Sequence, residues 1–211
     1  MKKIIALFGL LCTLNYAQSY AQKTTFKEGD LIFQNLKCGP LCDAINEVTY
    51  GYNGLNFNHI GMVVEHEGSL QVIEATWPEV CLTPLDQFLT KTPETMYLGR
   101  LLPRFEKLIP AAKTFALKQL GVPYDDNYLY ANGKYYCSEL LYDAFKSANK
   151  NKEFFHLYPM TYRSKYTGEA FPVWVEYFEK LDQIIPEGAL GCNPAGMSLS
   201  KNLTIVGPIV Q

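Results

Sequence analysis

The sequence predicts a mixed fold that combines a small set of strands with amphipathic helices. One observation is a hairpin pattern, in which apolar runs over 57–65 and 70–76 flank the turn residues His66-Glu67-Gly68-Ser69. Another is a pair of helical patterns over 110–120 and 137–148, each with its apolar residues on one face. With 48% hydrophobic and 19% charged side chains in 211 residues, the chain has the composition of a globular protein.

Local signals predict the elements of the first half in order. An apolar run after a turn predicts a buried strand over 31–33. Pro40 is expected to open a short helix over 41–49, since proline is favoured in the first helical turn. Gly61 lies inside the strand over 57–65, where a glycine indicates either a bulge or the close approach of another group.

The second half is expected to bring two further short elements before the long helices. We predict a helix over 85–89 and a strand over 96–102, and Gly121 should end the helix over 110–120. A third amphipathic helical face is indicated by Trp174, Tyr177, Phe178 and Leu181. An apolar tail that packs onto the protein is indicated by Leu203, Ile205 and Val206.

The first 21 residues have the pattern of a secretory signal peptide. Lys2 and Lys3 precede an apolar run over 4–14, and Ser19-Tyr20-Ala21 supplies small residues for cleavage. The run is shorter than the roughly 20 residues that a membrane-spanning helix needs. We therefore expect an exported protein, periplasmic or secreted, with one domain over 22–211. Lipid attachment at Cys12 is less favoured, because the bulky Leu11 precedes it.

The charge balance argues against a nucleic-acid partner. Nineteen Lys and Arg against 21 Asp and Glu leave a formal charge of −2, with no basic excess to neutralise phosphates. An exported chain instead has access to peptide or acyl-lipid substrates, and to peripheral contact with a membrane or cell wall. The sequence leaves its oligomeric state open.

Five cysteines follow the predicted cleavage site, namely Cys38, Cys42, Cys81, Cys137 and Cys192. An odd number leaves at least one thiol unpaired within the chain. A bridge between Cys38 and Cys42 is feasible in a turn, but it closes a loop too short to add much stability. We interpret these two as small residues near a helix start, and the remaining pairing stays open.

Three polar residues occupy positions where a core favours apolar ones: His59, Glu74 and Cys137. A two-residue turn at 66–67 or 67–68 would place His59 directly across from Glu74 or one diagonal step away, on the same face. A carboxylate there would orient the imidazole and raise its basicity. Cys137 opens a predicted helix, where the unpaired amides and the helix dipole favour a thiolate. The Cys137 amide could also help hold an oxyanion.

Each of these residues has an alternative interpretation. A buried His and a Cys at a helix start are common structural residues, and Glu74 could lie exposed on an edge strand. A zinc site with His59, His66, Glu74 and Cys137 as ligands is a second chemical alternative. It is disfavoured because no Cys-x-x-Cys or His-x-x-x-His pair accompanies these residues.

Short stretches throughout the chain resemble the circularly permuted, papain-like branch of the NlpC superfamily, specifically the bacterial YiiX-like cysteine peptidases. The matching stretches are Gly29-Asp30-Leu31-Ile32-Phe33, Asn58-His59-Ile60-Gly61-Met62-Val63, Val72-Ile73-Glu74-Ala75, Gly121-Val122-Pro123-Tyr124-Asp125, Tyr136-Cys137-Ser138-Glu139-Leu140 and Ile185-Pro186-Glu187-Gly188. The permutation accounts for a histidine that precedes the cysteine. The insertion around Cys38 to Cys42 and the cysteine at position 192 depart from the group's pattern.

The resemblance implies an α+β fold in which the cysteine helix packs against a small antiparallel sheet or barrel. It further implies an exported thiol hydrolase without a cofactor, an amidase or peptidase with Cys137 as nucleophile, His59 as base and Glu74 as its orienting partner. Tyr124 and Asp125 are expected to shape the substrate cleft. The alternative is a non-catalytic module that binds lipid or peptide in this cleft, as the tyrosine-rich segment 124–136 suggests.

Overall fold

A computed structural model describes residues 23–211, so the predicted signal peptide and Cys12 lie outside the described residues. The six strands of the main sheet are β1 (Leu31–Gln34), β2 (His59–His66), β3 (Ser69–Ala75), β4 (Val80–Pro84), β5 (Tyr97–Leu101) and β8 (Leu203–Pro208). Their order is β4-β3-β2-β1-β5-β8, with every neighbouring pair antiparallel. A separate two-stranded sheet pairs β6 (Tyr158–Pro159) with β7 (Leu190–Gly191).

In the described part of the chain, six α-helices accompany the sheets: α1 (Pro40–Val48), α2 (Leu85–Phe88), α3 (Ile109–Leu117), α4 (Cys137–Ala148), α5 (Pro172–Lys180) and α6 (Pro194–Ser198). The predicted helix over 137–148 is confirmed at both ends. The helix over 110–120 ends earlier, at Leu117, and the chain turns at Gly121 with φ +80°. Within residues 23–211, no helix combines the length and apolarity needed to cross a membrane.

Helix α4 packs against one face of the sheet, and this contact builds the main core. Leu140 and Leu141 are fully buried in one cluster with Ile60 and Met62 of β2. The helix supplies residues at helical spacing and the strand supplies alternate residues, so both apolar stripes face each other. Each such side chain contributes roughly 1.5–3 kcal/mol to stability by burial. Cys137, at the N-terminal end of α4, is thereby held near the start of β2.

The hairpin of β2 and β3 has the register that places His59 and Glu74 on one face. Its two turn residues, Glu67 and Gly68, have φ values of 50° and 77°, typical of a tight hairpin turn. The register pairs His66 with Ser69 and continues along both strands. His59 therefore lies one diagonal step from Glu74, as the hairpin pattern predicts.

Gly61 permits the close approach that the sequence indicates. A Cβ atom at this position would lie 2.3 Å from Val72 Cγ1 and 3.1 Å from the Phe88 ring. Phe88 is fully buried and covers this face of the sheet, beside the His59 ring at 5.8 Å between ring centroids. Gly61 therefore lets Phe88 pack next to the histidine.

Cys38 and Cys42 form a disulfide, with Cα atoms 5.2 Å apart, so their interpretation as two unbridged residues is wrong. Gly39 lies between them with φ +69° and directly precedes α1. This turn brings Cys38 next to Cys42 in the first turn of the helix. Of the cysteines in the described part of the chain, Cys81, Cys137 and Cys192 are free thiols.

The predicted apolar tail packs onto the protein. It forms α6 and then β8, which pairs with β5 at one edge of the main sheet. At the opposite edge, β4 is a strand that the sequence patterns did not predict. Because β4 pairs with β3, Glu74 lies on an interior strand rather than on an edge strand.

Candidate active site

His59 and Glu74 form a buried hydrogen-bonded pair. The His59 ring donates from Nε2 to Glu74 Oε2 over 2.6 Å, and the residues are 5% and 0% exposed. The diagonal placement on β2 and β3 makes this contact without distortion of either strand. Because the carboxylate takes Nε2, the ring presents Nδ1 to the thiol of α4.

Cys137 reaches this pair from the first turn of α4. Its thiol lies beside the His59 ring, whose pKa it helps to raise, and is 3.9 Å from the Asn58 carbonyl oxygen. As the first residue of the helix, Cys137 has a backbone amide with no intrahelical partner. The helix start, which favours negative charge, therefore coincides with the sulfur that contacts the imidazole.

The site stabilises the charged forms of both His59 and Glu74. Burial alone would lower the pKa of His59, but its hydrogen bonds to Cys137 and Glu74 outweigh burial and raise it to about 9. Burial alone would raise the pKa of Glu74, but the bonds and charges of His59 and Lys91 lower it to about 2. Near neutral pH the pair is an imidazolium and a carboxylate, which leaves the imidazolium beside the sulfur.

Two further partners of Glu74 were not predicted from the sequence. The Thr83 hydroxyl of β4 and the Lys91 ammonium both donate to Glu74 Oε1. Thr83 lies just before the predicted helix over 85–89, and Lys91 lies in the turn after α2 without any motif. The pairing of β4 with β3 brings Thr83 to Glu74, and the turn after α2 brings Lys91 there, so both contacts depend on the fold rather than on a local pattern.

A cavity of about 180 Å³ lies next to Cys137, and its wall is predominantly apolar. It is bounded by the N-terminal turn of α4, the 158–162 segment and α5. The aromatic residues that line it are Tyr124, Tyr128, Tyr136, Tyr158, Tyr162 and Trp174. The thiol therefore opens onto a compact aromatic cavity, the kind of surface that holds the apolar part of a small ligand.

Tyr124 and Asp125 have different positions in the structure. Tyr124 lines the cavity, and burial raises its pKa, so that it remains a neutral phenol. Asp125 is fully buried outside the cavity lining. Its two carboxylate oxygens accept the backbone N–H groups of Asn127 and Leu129 at 3.0 and 2.7 Å. Asp125 thus holds the loop that carries the tyrosines.

The zinc-ligand alternative is wrong for the described residues. His66 lies at the far end of β2, with its ring 4.0 Å from the carboxylate of Glu67. Within residues 23–211, no group of three or more His, Cys, Asp and Glu side chains is arranged to hold a metal ion. His59 instead uses its ring nitrogens for Glu74 and Cys137.

The order of these residues along the chain, with the histidine strand before the cysteine helix, is that of a permuted papain-like enzyme. The sequence profile of the permuted papain-like amidases of the YaeF/YiiX group, peptidase family C92, matches residues 25–207. The chain belongs to this family. Its α+β fold with an antiparallel sheet agrees with that family.

Two relatives from Escherichia coli are similar to this C92 chain. Protein YiiX of strain K12 is 29% identical over 126 residues, a match that spans 57% of this chain and 57% of that protein. The crystal structure of the metalloprotein yiiX from strain O157:H7 is 22% identical and has a TM-score of 0.70. The superposition covers 88% of this chain and 98% of that chain, and it shows the shared fold.

Proposed function

We propose that the protein is an exported thiol hydrolase that cleaves an amide or ester bond through a thioester on Cys137. The observation that carries the proposal is the buried hydrogen bond between His59 and Glu74 beside Cys137, which lines an aromatic cavity. Export is inferred from the signal-peptide pattern of residues 1–21. A periplasmic or secreted enzyme meets peptides and lipid-linked amides of the cell envelope, which is the substrate class we infer.

In the first half-reaction the Cys137 thiolate attacks the substrate carbonyl carbon. The carbonyl oxygen becomes an oxyanion, and the unpaired amide at the start of α4 is placed to donate to it. As the tetrahedral intermediate collapses, His59 gives its proton to the leaving amine or alcohol. The bond to the leaving group breaks, and the acyl group remains on sulfur as a thioester.

In the second half-reaction water replaces the leaving group. Neutral His59 removes a proton from a water molecule, which attacks the thioester carbonyl. Collapse releases a carboxylic acid and returns the thiolate and the imidazolium. Glu74 stays ionised throughout and keeps the ring oriented, since its low pKa prevents it from taking the proton.

The test of the nucleophile is selective alkylation. Iodoacetamide at neutral pH should label Cys137 faster than Cys81 and Cys192, because burial raises the pKa of each of those two thiols. Peptide mass spectrometry assigns the label, and the other two thiols serve as controls within one molecule. His59→Ala should slow labelling of Cys137 alone. Equal labelling of Cys137 in both proteins would contradict the ion pair.

The substrate class is tested by product analysis. The protein is incubated with peptidoglycan fragments and, separately, with acyl lipids, and both the products and the mass of Cys137 are followed. New carboxylates together with a transient acyl adduct on Cys137 are expected, and Cys137→Ala should abolish both. The cavity also suits a non-catalytic binding module. A retained ligand in native mass spectrometry, without turnover in either panel, would favour that alternative.

A further inference from the structure

The geometry points to Lys91 as a positioning residue whose ammonium balances the charge of Glu74 and so keeps the Cys137 thiolate available. This inference rests on the proposed thiol mechanism, and it concerns a residue that touches neither the sulfur nor the imidazole. Lys91 acts through Glu74, the carboxylate that orients His59.

The contacts of Glu74 divide between its two oxygens. Oε2 accepts from His59, while Oε1 accepts from both Thr83 and Lys91. Glu74 is fully buried, whereas the Lys91 side chain is 26% exposed. The carboxylate therefore meets a cation on each side, one inside the site and one at its outer edge.

Lys91 is held in this position by the surrounding structure. Its ammonium lies 5.2 Å from the centroid of the Phe88 ring, which also packs beside His59. The carbonyl of Phe88 accepts a hydrogen bond from the buried Gln34 amide at 2.8 Å. This hydrogen bond ties the end of α2 to β1, so the turn that carries Lys91 is held in place next to Glu74.

The ionisable groups around the carboxylate come from four elements. His59 faces it from β2, Cys81 approaches from β4, Lys91 comes from the turn after α2, and Cys137 of α4 lies beyond the imidazole. Glu79 acts on Cys81 from the start of β4. Burial raises the pKa of Cys81, which therefore remains a neutral thiol.

The charge count follows from these neighbours. In the active form, thiolate and carboxylate supply two negative charges, while imidazolium and ammonium supply two positive charges. Without Lys91 the buried group would carry one net negative charge. A net negative site binds protons more tightly, so the thiol would release its proton only at higher pH.

The experiment follows alkylation of Cys137 against pH, which requires no substrate. Rates of iodoacetamide labelling are measured by mass spectrometry from acid to neutral pH in the wild-type protein, Lys91→Met and Lys91→Arg. We expect the midpoint of the rise to move up by about half to one pH unit in Lys91→Met. At a pH below the midpoint this corresponds to roughly three- to tenfold slower labelling. Lys91→Arg keeps the charge and should keep the wild-type midpoint.

A matched control is available in Lys113. Its ammonium pairs with Glu28 at 2.6 Å, and its side chain is 24% exposed, close to the value for Lys91. Lys113→Met removes the same charge, at a lysine of similar exposure, from an ion pair away from the site whose carboxylate is 30% exposed. It should leave the midpoint of Cys137 labelling unchanged.

The outcomes separate this inference from the proposed function. If wild-type Cys137 labels no faster than Cys192, the thiol mechanism fails. If wild-type labelling is selective and Lys91→Met keeps the wild-type midpoint, the role of Lys91 is overturned while the mechanism stands. Lys91→Gln serves as a second neutral variant if Lys91→Met does not fold. If neither neutral variant folds but Lys91→Arg does, Lys91 is structural and the inference is overturned.

Discussion

Two fully buried glutamates, Glu74 and Glu139, have different surroundings. Glu74 is bonded to His59, Thr83 and Lys91, and the bonds and charges of His59 and Lys91 lower its pKa to about 2 against the effect of burial. Glu139, two residues after Cys137, has its pKa raised to about 8 by burial. The identity of the neighbours, rather than the depth of burial, decides which carboxyl group is charged.

The partners of Glu139 explain its neutral form. Its Oε1 accepts one backbone N–H, from Ala131 at 2.8 Å, and its Oε2 has no partner among the described residues. Asp125 and Asp143 add nearby negative charge. No cation contributes to its shift, in contrast to Glu74. The comparison indicates that Glu74 is held as an anion, while Glu139 is held as a neutral acid that supports the 125–135 loop.

The largest expected effects are on turnover. Glu74→Gln should reduce kcat by about 10²-fold, because an amide still orients the ring but stabilises imidazolium less. Cys137→Ala should reduce kcat further than Glu74→Gln does, since no thioester can form. Steady-state kinetics on a substrate from the product screen, with circular dichroism as the folding control, tests this. A Glu74→Gln enzyme with wild-type kcat would remove Glu74 from the mechanism and erase the distinction between the two glutamates.

The pH dependence of the wild-type enzyme sharpens the same comparison. Activity should rise with pH as the thiol ionises and fall as His59 loses its proton, around the pKa of about 9. The profile of kcat/KM is therefore a bell. Glu139→Gln should keep both limbs, because Glu139 does not touch the imidazole. A flat profile from acid to alkaline pH would contradict the thiolate–imidazolium form.

The smallest effect concerns stability. The pKa of Glu139 is raised on folding from 4.5 to about 8, so the folded protein holds this proton while the unfolded chain releases it. The stability that this bound proton contributes to the folded protein is therefore fully present below pH 4.5 and is lost as pH rises toward 8. Glu139→Gln removes the titration. The variant should gain stability relative to wild type between pH 5 and 8, by on the order of 1–3 kcal/mol.

Urea unfolding of both proteins at the two pH values measures this difference. His59 and Glu74 titrate equally in both, so their contributions cancel. A difference in unfolding free energy that is independent of pH would mean that Glu139 is already ionised in the folded protein. The contrast with Glu74 would then be lost.

Several features of the fold were predictable because they depend on local chemistry. The turn at Glu67 and Gly68 sets the hairpin register, so the shared face of His59 and Glu74 follows from residue spacing alone. The start of α4 at Cys137 was predictable from the apolar stripe that follows it. The disulfide of Cys38 and Cys42 was not, since it depends on the turn at Gly39.

The sequence by itself determined the hairpin, the cysteine helix and the three residues that meet between them, because each is specified by contacts or periodicity over a few residues. Only the tertiary structure decided that β4 pairs with β3, that Lys91 returns to Glu74 and that Asp125 points away from the cavity. These depend on backbone paths that bring distant residues together. The charge states of Glu74 and Glu139 also required the tertiary structure, since the pKa of a buried carboxyl group depends on neighbours that only the complete fold supplies.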